Sequence, residues 1–331
     1  GLRLRRMARV ETRTVEAETC GDALAEVLDT VGAGDSLTYD ADTGVLQSNA
    51  RLQLTFGSEP PGDCPGCEPL LRGRYLGQED HAIRIMLANS DSYVWAFDNA
   101  APLYRAKLIF DGNGARVEML SPPKDSFHEP ELDRVVEILP WSALLENGEP
   151  SGGKGFGQTV SNEKVAARVG ALGVVDAPYT PADRSFHAQF DATILQALGL
   201  AEPGKEGAKS APDQATKTLK TGAVPDDEVL ALQWDPAHPQ ASELNPGGEI
   251  GETGYVYVRF WHLKQPGAAA SIPLNAGQPL GRTGVVPVFG GKGRRGDYWQ
   301  ASLRVSDPDR IWPWAIMEPD GLPPDGPREA I

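Results

Sequence analysis

The most constraining feature of this sequence is a succession of short runs in which apolar residues recur at every second position. The run ARLQLTF (50–56) places Leu52, Leu54 and Phe56 on one side of an extended chain. The runs YRAKLIF and ARVEML flank the segment DGNG (111–114), whose residues tolerate positive φ and therefore predict a tight β-hairpin. Gly (37 residues) and Pro (28 residues) are spread along the whole chain, as turns between many short strands require. The pattern predicts a mainly β fold, built of β-sandwich or barrel-like modules with long Gly/Pro-rich loops.

One segment departs from the two-residue period. In TCGDALAEVLDTVGAG (19–34) the apolar residues recur at the spacing of one helical face, at Leu24, Val27, Leu28 and Val31. Asp22 favours the N-terminal end of such a helix, and Gly32 can close it in the left-handed conformation. We therefore expect one short helix near the start of the chain.

The 331 residues suffice for one large domain or two ordinary ones. The patterns suggest an N-terminal strand and helix segment at 1–35, a β domain at 36–200 and a second β portion at 228–331. Residues 201–227 contain no aromatic side chain and few large aliphatic ones, so we expect a linker or a long exposed loop there. The chain begins with Gly rather than Met, and we expect it to be a piece of a longer protein.

The net charge of the chain limits which partners it can bind. A net charge of −15 disfavours nucleic acid as a partner, because contacts to phosphates need clustered Lys and Arg. No run of about 18 apolar residues is present, so the sequence predicts no membrane span. We expect a solvated acidic surface.

Three Cys residues and one His raise the question of metal binding. Cys64 and Cys67 form a C-x-x-C pair, and Cys20 and His81 would complete a Cys3His set for tetrahedral zinc. Zinc sites of this kind normally use two paired ligand motifs, and only one is present here. The alternatives are a disulfide from Cys20 to Cys64 or Cys67, with one thiol left over, and three free thiols. We expect no cofactor, with zinc as the one alternative.

The sequence carries no motif typical of an active site. The five His residues are scattered, with none in H-E-x-x-H, and G-x-S-x-G is absent. Residues 40–44 resemble the opening of a calcium loop but lack its later ligands, and 151–159 fail the spacing of a phosphate loop. We therefore predict a hairpin turn at residues 40–44 and a mobile loop at residues 151–159. We also predict that the chain is not an enzyme.

The densest aromatic segment is GRRGDYWQASLRVSDPDRIWPW (293–314). It contains an integrin-type Arg295-Gly296-Asp297, but Gly-Asp directly before a strand predicts a turn. Alternation along that strand places Trp299 toward the core and Tyr298 on the more polar side. Trp312-Pro313-Trp314 predicts a packed edge or bend, because Pro cannot donate to a central ladder.

Four segments share their order and spacing with a known pattern. Residues 75–85 (YLGQEDHAIRI) correspond roughly to Y-x-G-x-E-N-Q-x-Y-R-V-E-I, and residues 94–99 (VWAFDN) correspond roughly to F-K-W-S-x-x-N. Arg295-Gly296-Asp297-Tyr298-Trp299 with Arg304 corresponds to R-x-G-D-Y-W-x-x-x-A-R. Trp312-Pro313 and residues 322–326 (LPPDG) correspond to W-P followed by L-P-P-x-G. Over residues 36–331 the chain thus resembles a domain-of-unknown-function family encoded with phage-tail-like contractile injection systems. The family's initial GDF segment is absent, EDH replaces ENQ, and Val94 stands in place of Lys.

The resemblance implies a non-enzymatic structural component of such a particle, at its baseplate or in a cage around it. The implied partners are other particle subunits, with multiple copies in a symmetric assembly that forms in the bacterial cytoplasm and can be released to the outside. The signature residues expected at interfaces, where Tyr, Trp and Arg are enriched, are Arg295, Asp297, Tyr298, Trp299 and Trp312.

Two other functions stay open. One is a lectin-like module that binds a cell surface through aromatic residues near Trp261 or Trp299. The other is a hydrolase whose site is assembled from distant residues, with a His beside a carboxylate and a nucleophile.

Overall fold

The structure is a computed structural model. The described residues are 20–30, 36–42, 44–57, 73–97, 103–111, 114–139, 141–145, 149–150, 159–160, 163–166, 170–190, 256–326 and 329–330. These residues form one α-helix and twenty strands, so the prediction of a mainly β fold with one short helix is confirmed.

The elements follow one another in this order. The helix α1 is Cys20–Thr30. The first ten strands are β1 (Leu37–Asp40), β2 (Val45–Ser48), β3 (Arg51–Phe56), β4 (His81–Leu87), β5 (Ser92–Phe97), β6 (Tyr104–Asp111), β7 (Gly114–Met119), β8 (Arg134–Leu139), β9 (Trp141–Leu145) and β10 (Glu149–Pro150). The second ten are β11 (Thr159–Val160), β12 (Glu163–Ala166), β13 (Ala171–Thr180), β14 (Ser185–Phe190), β15 (Val256–Leu263), β16 (Ile272–Pro273), β17 (Val285–Gly290), β18 (Tyr298–Leu303), β19 (Ile311–Trp312) and β20 (Glu329–Ala330). Short 3₁₀ turns lie at Ser126–His128 and Trp314–Met317.

Contacts within the chain divide it into two compact units. The first, here called the barrel unit, comprises Gly1–Glu16 and Leu103–Arg259. The second, here called the sheet unit, comprises Ala17–Pro102 and Phe260–Ile331 and is therefore discontinuous in sequence. The division falls inside β15. The domain boundaries expected at 36, 201 and 228 remain predictions, and the expected linker at 201–227 lies outside the described residues.

The barrel unit is built around a closed six-stranded barrel with the strand order β13-β14-β7-β6-β15-β8. Its β6–β7 hairpin pairs Asp111 with Gly114, which confirms the turn predicted at DGNG. In β14 the alternating residues Phe186, Ala188 and Phe190 are buried, as the period of two predicts. Strand β15 is buried at seven of its eight positions, in agreement with its apolar residues on both faces.

The barrel also buries an ion pair. Glu137 on β8 is fully buried, and one of its oxygens accepts a hydrogen bond from the Gly170 N–H at 2.7 Å. The other oxygen lies 3.4 Å from the Arg259 guanidinium, which is itself buried. Burying two charges is costly, and the mutual attraction and the hydrogen bond offset that cost.

The sheet unit contains a five-stranded sheet with the order β16-β5-β4-β18-β19. The other strands of the sheet unit form the antiparallel pair β17–β3 and a three-stranded sheet with the order β1-β2-β20. The β1–β2 hairpin turns at residues 41–44, where the Asp42 N–H donates to the Asp40 carboxylate at 3.0 Å. The prediction of a hairpin turn at Asp40–Gly44 is therefore confirmed.

One apolar core holds the sheet unit together. Its buried members come from β3, β4, β5, β17 and β18 and include Leu52, Ile83, Ile85, Trp95 and Trp299. Each aliphatic side chain buried there stabilises the fold by about 1.5–3 kcal/mol relative to exposure. In β18 the residues Trp299, Ala301 and Leu303 are buried and Gln300 is exposed, so the predicted orientation of this strand is confirmed.

Candidate functional site

The RGD tripeptide forms a turn that is built into the sheet unit. The Asp297 N–H donates to the Arg294 carbonyl at 3.0 Å, and Gly296 has a φ of 87°, which favours Gly. The Asp297 side chain is 1% exposed. Its Oδ2 accepts from the Ser48 hydroxyl at 2.6 Å and from the Arg294 N–H at 2.8 Å. The predicted turn is confirmed, and the carboxylate that an adhesion motif would present is buried.

The next two signature residues join the third and fourth sequence segments. The Tyr298 N–H donates to the Gly326 carbonyl at 2.9 Å, and the Asp325 N–H donates to the Tyr298 carbonyl at 2.8 Å. The indole N–H of Trp299 donates to the Leu322 carbonyl at 2.9 Å. The L-P-P-x-G segment therefore lies directly along the G-D-Y-W strand.

The first and second segments reach the same sheet. Strand β4 pairs with β18 on one side, with Ile85 opposite Trp299, and with β5 on the other, with Ile85 opposite Trp95. The loop before β4 folds around Tyr75, whose hydroxyl donates to the Glu79 carbonyl at 2.7 Å. A Cβ at Gly77 would lie 1.9 Å from that hydroxyl oxygen, so this position requires Gly.

Tyr298 also has a cationic neighbour. The guanidinium carbon of Arg84 lies 4.0 Å from the centre of the Tyr298 ring, within the range of a cation–π interaction. Trp299 meets Phe289 edge to face, with their ring centres 6.0 Å apart. Asp297, Tyr298 and Trp299 are thus engaged in holding the sheet unit, whereas Trp312 contributes to an exposed surface.

An exposed surface is formed by residues that follow β18 in the chain, namely Arg304, Arg310, Trp312 and Trp314. We call it the Trp–Arg surface. The two Trp ring centres are 4.3 Å apart, and Trp314 is 50% exposed. The guanidinium of Arg310 lies 5.1 Å from the centre of the Trp314 ring, and that of Arg304 lies 5.5 Å from the centre of the Trp312 ring.

The backbone below the Trp–Arg surface is well anchored. Strand β19 forms the edge of the five-stranded sheet, and its Ile311 N–H meets the sulfur of Met317 at 3.2 Å. The 3₁₀ turn thereby folds back onto the edge strand. The expected edge at Trp312-Pro313-Trp314 is confirmed, but Trp314 is only partly packed: its ring lies against Trp312, and the residue is 50% exposed. Sequence reasoning missed this exposure, and the nearby Arg304 and Arg310 were the available signal.

Two depressions lie elsewhere on the described surface. In the sheet unit, a depression of about 400 Å³ is lined mainly by the loop before β4, with Tyr75, His81, Phe97 and Arg282 among its walls. In the barrel unit, a depression of about 250 Å³ is lined by Ser126, Glu129, Pro130, Glu131, Pro178 and Tyr179; we call it the acidic depression.

The zinc hypothesis is only partly covered by the structure. Cys64 and Cys67 lie outside the described residues, whereas Cys20 begins α1 and His81 begins β4. The His81 ring lies against Phe97, with the ring centres 4.5 Å apart. Among the residues that the structure describes, no three His, Cys, Asp or Glu side chains form a group suited to a metal ion. Zinc binding by the four residues remains a prediction.

Two His residues lie beside carboxylates, as the hydrolase hypothesis requires. His187 Nδ1 is 2.5 Å from Asp176 Oδ1, and His128 Nδ1 is 2.6 Å from Asp125 Oδ1. Burial opposes ionisation of Asp176, but its hydrogen bonds with His187 and Gln189 together lower the pKa of Asp176 below its usual value. Neither of these two pairs is among the lining of the two depressions.

The lectin-like hypothesis depended on exposed rings at Trp261 or Trp299. These side chains are 1% and 2% exposed, so their burial counts against a role in surface binding. Trp261 has no need of a ligand to be covered, since β15 is buried along most of its length. Among the described residues, the Trp–Arg surface is where tryptophan is most accessible.

No helix among the described residues is long and apolar enough to cross a membrane. Comparison with known proteins gives no further assignment. The chain matches no protein-family model, no curated protein and no solved structure.

Proposed function

We propose that the chain is a non-enzymatic structural subunit of a phage-tail-like contractile injection particle, associated with the baseplate or with a cage around it. Its partners would be other particle subunits, with several copies of the chain in one symmetric assembly. It would assemble in the bacterial cytoplasm and could leave the cell with the particle.

One observation carries this proposal. The four segments that resemble the particle-associated family, although up to 250 residues apart in the chain, meet in the sheet unit through β4, β5, β18 and the strand-like segment at 322–326. The chemistry of these segments is backbone pairing and ring burial, which suits a rigid building block better than a reaction centre.

The charge and surface features agree with a building block. A chain of net charge −15 with a half-exposed Trp beside two Arg residues presents a localised contact surface on an otherwise acidic body. Interfaces are enriched in Trp, Tyr and Arg. Trp and Tyr bury large areas at low entropic cost, and Arg provides several hydrogen-bond donors.

Deletion of the coding sequence in a strain that produces such particles tests the proposal. We expect the chain to co-purify with the particles at constant stoichiometry, and particles from the deletion strain to lack density at the baseplate or cage by electron microscopy. Complementation with Trp299→Ala should fail, because the sheet unit loses its central ring, whereas Val288→Ala, at a 46% exposed position, should restore the particles. Normal, complete particles in the deletion strain would refute the role.

The pair of His187 and Asp176 favours the hydrolase as the second candidate, since a carboxylate can orient a catalytic imidazole. A purified chain incubated with p-nitrophenyl esters of short acids should release no more p-nitrophenol than buffer if the chain is structural. Turnover that is abolished by His187→Ala would favour the hydrolase instead.

A further inference from the structure

The Trp–Arg surface carries cations that the chain itself leaves without a carboxylate. Among the described residues, neither Arg304 nor Arg310 forms an ion pair, although the chain has 46 acidic residues. The neighbouring Asp309 is paired instead with Arg74 at 3.1 Å. Each guanidinium lies near the face of an indole ring, and both Arg residues are exposed, so their N–H donors are accessible to a partner.

The rings of this surface form a preorganised contact. Trp312 and Trp314 lie on an edge strand and a 3₁₀ turn whose backbone is tied together by the Ile311–Met317 contact, so little ordering is needed on binding. The Nε1–H of Trp312 is shielded from water and meets no acceptor among the described residues. A partner that offers carboxylates and an apolar cleft would complement this surface.

The acidic depression has that complementary chemistry. Pro130, Pro178 and Tyr179 provide apolar walls, and Glu129 and Glu131 provide carboxylates. The Glu131 carboxylate is already paired with Arg134, so the Glu129 carboxylate is the one offered to a partner. Leu132 next to it is 55% exposed. With a volume of about 250 Å³, it lies below the usual range of about 300–1,000 Å³ for small-molecule sites and is suited to a single large side chain.

We propose that the Trp–Arg surface of one copy docks into the acidic depression of a second copy, with Trp314 as the anchor and Arg310 facing Glu129. The contact is head-to-tail, because two different surfaces meet, and such contacts generate rings or filaments rather than closed pairs. This inference deepens the proposed structural role and rests on it, since a particle subunit present in several copies needs a contact between neighbours.

The contact is expected to be weak in isolation. One Trp buries about 150–250 Å², whereas a stable interface needs about 800 Å² on each partner. Several such contacts within one assembly would reinforce each other through effective concentration. Self-association of the purified chain should therefore appear only at high protein concentration.

Sedimentation equilibrium of the whole chain over a wide concentration range tests the proposal. Trp314→Ala should weaken self-association roughly thirtyfold or more, as expected for a hot-spot Trp. Arg310→Glu and Glu129→Arg should each weaken it at least about tenfold, and an equimolar mixture of these two variants should restore it. Arg282→Glu, at an exposed position outside the Trp–Arg surface, is the charge-matched control and should leave association unchanged.

Three results would overturn the inference. The first is a wild-type dissociation constant weaker than roughly 1 mM. The second is an Arg282→Glu variant as impaired as Arg310→Glu, which would indicate a general charge effect. The third is a mixture of Arg310→Glu and Glu129→Arg that fails to associate although circular dichroism and urea midpoints show both variants folded. Because purified chain is used, these results are independent of whether deletion of the chain alters the particles.

Discussion

Replacing Asp297 by Ala tests whether the RGD turn supports the fold or serves as a surface ligand. The Asp297 carboxylate is 1% exposed and accepts from the Ser48 hydroxyl and the Arg294 N–H at 2.6 and 2.8 Å. A hydrogen bond to a charged group contributes about 1.5–3 kcal/mol, and a buried donor left without its acceptor adds a cost. The Ser48 hydroxyl can rotate toward another acceptor, so we expect Asp297→Ala to lower the free energy of unfolding by about 3–4 kcal/mol.

A double-mutant cycle isolates one of the two bonds. Ser48→Ala alone should cost about 1–2 kcal/mol. In the background of Asp297→Ala the part due to the Ser48–Asp297 bond should disappear, whereas the part due to the Ala50 N–H, which donates to the Ser48 hydroxyl oxygen at 3.2 Å, should remain. Asp320→Ala is the matched control, because Asp320 is exposed, and it should change stability by less than about 0.5 kcal/mol.

Urea unfolding followed by tryptophan fluorescence is the suitable assay. Five of the seven Trp residues lie in the sheet unit, namely Trp95, Trp261, Trp299, Trp312 and Trp314, so the signal reports chiefly on the unit that contains Asp297. An Asp297→Ala variant within about 0.5 kcal/mol of the wild type would refute the structural role of the turn. A coupling energy near zero would refute the Ser48–Asp297 hydrogen bond.

Three further changes test other parts of the chain. Asp176→Asn should lower the free energy of unfolding at neutral pH, and this loss of stability should vanish when urea unfolding is measured at low pH. The pKa of Asp176 is lowered in the folded protein, so the ionised carboxylate contributes to stability above the usual carboxyl pKa of 3.8. This contribution to stability is lost as the pH falls through the pKa of the folded state. Burial raises the pKa of the Tyr93 hydroxyl from 10.0 to about 12. Because the unfolded chain loses the hydroxyl proton first, the free energy of unfolding should fall as the pH rises between these two values. Tyr93→Phe should remove this fall from a plot of the free energy of unfolding against pH. Glu137→Ala would remove the carboxylate that lies 3.4 Å from the buried Arg259 guanidinium and should cost about 3–5 kcal/mol in thermal unfolding. Glu137→Leu combined with Arg259→Met should recover much of this loss. Equal losses in the single and double Glu137 variants would contradict that account.

Local patterns predicted the elements well because their causes are local. The helical spacing at Leu24, Val27 and Leu28 predicted α1, and the DGNG turn predicted the β6–β7 hairpin. The alternation in 298–303 predicted which side of β18 is buried. In each case a single face had to be covered, and the side-chain period alone determines which residues lie on it.

The candidate surfaces were less accessible to sequence reasoning. Alternation already placed Trp299 toward the core, and Trp261 was the other candidate for binding; both are buried, while Trp314, expected in a packed edge or bend, is half exposed. An aromatic residue is compatible with core and surface alike, so its burial depends on which strands pack over it. The acidic depression brings Glu129 and Pro178 together across almost 50 residues, and no local spacing encodes that contact.

By itself, the sequence determined that this chain is β-rich, where its hairpins turn and which face of each strand is apolar, because these properties depend on neighbours within a few residues. Only the tertiary structure decided that β4 pairs with β18, that residues 322–326 lie beside β18 and that the Asp297 carboxylate is buried. Strand pairing over more than 200 residues is chosen by the fit of whole apolar faces, and that fit exists only once the chain has folded.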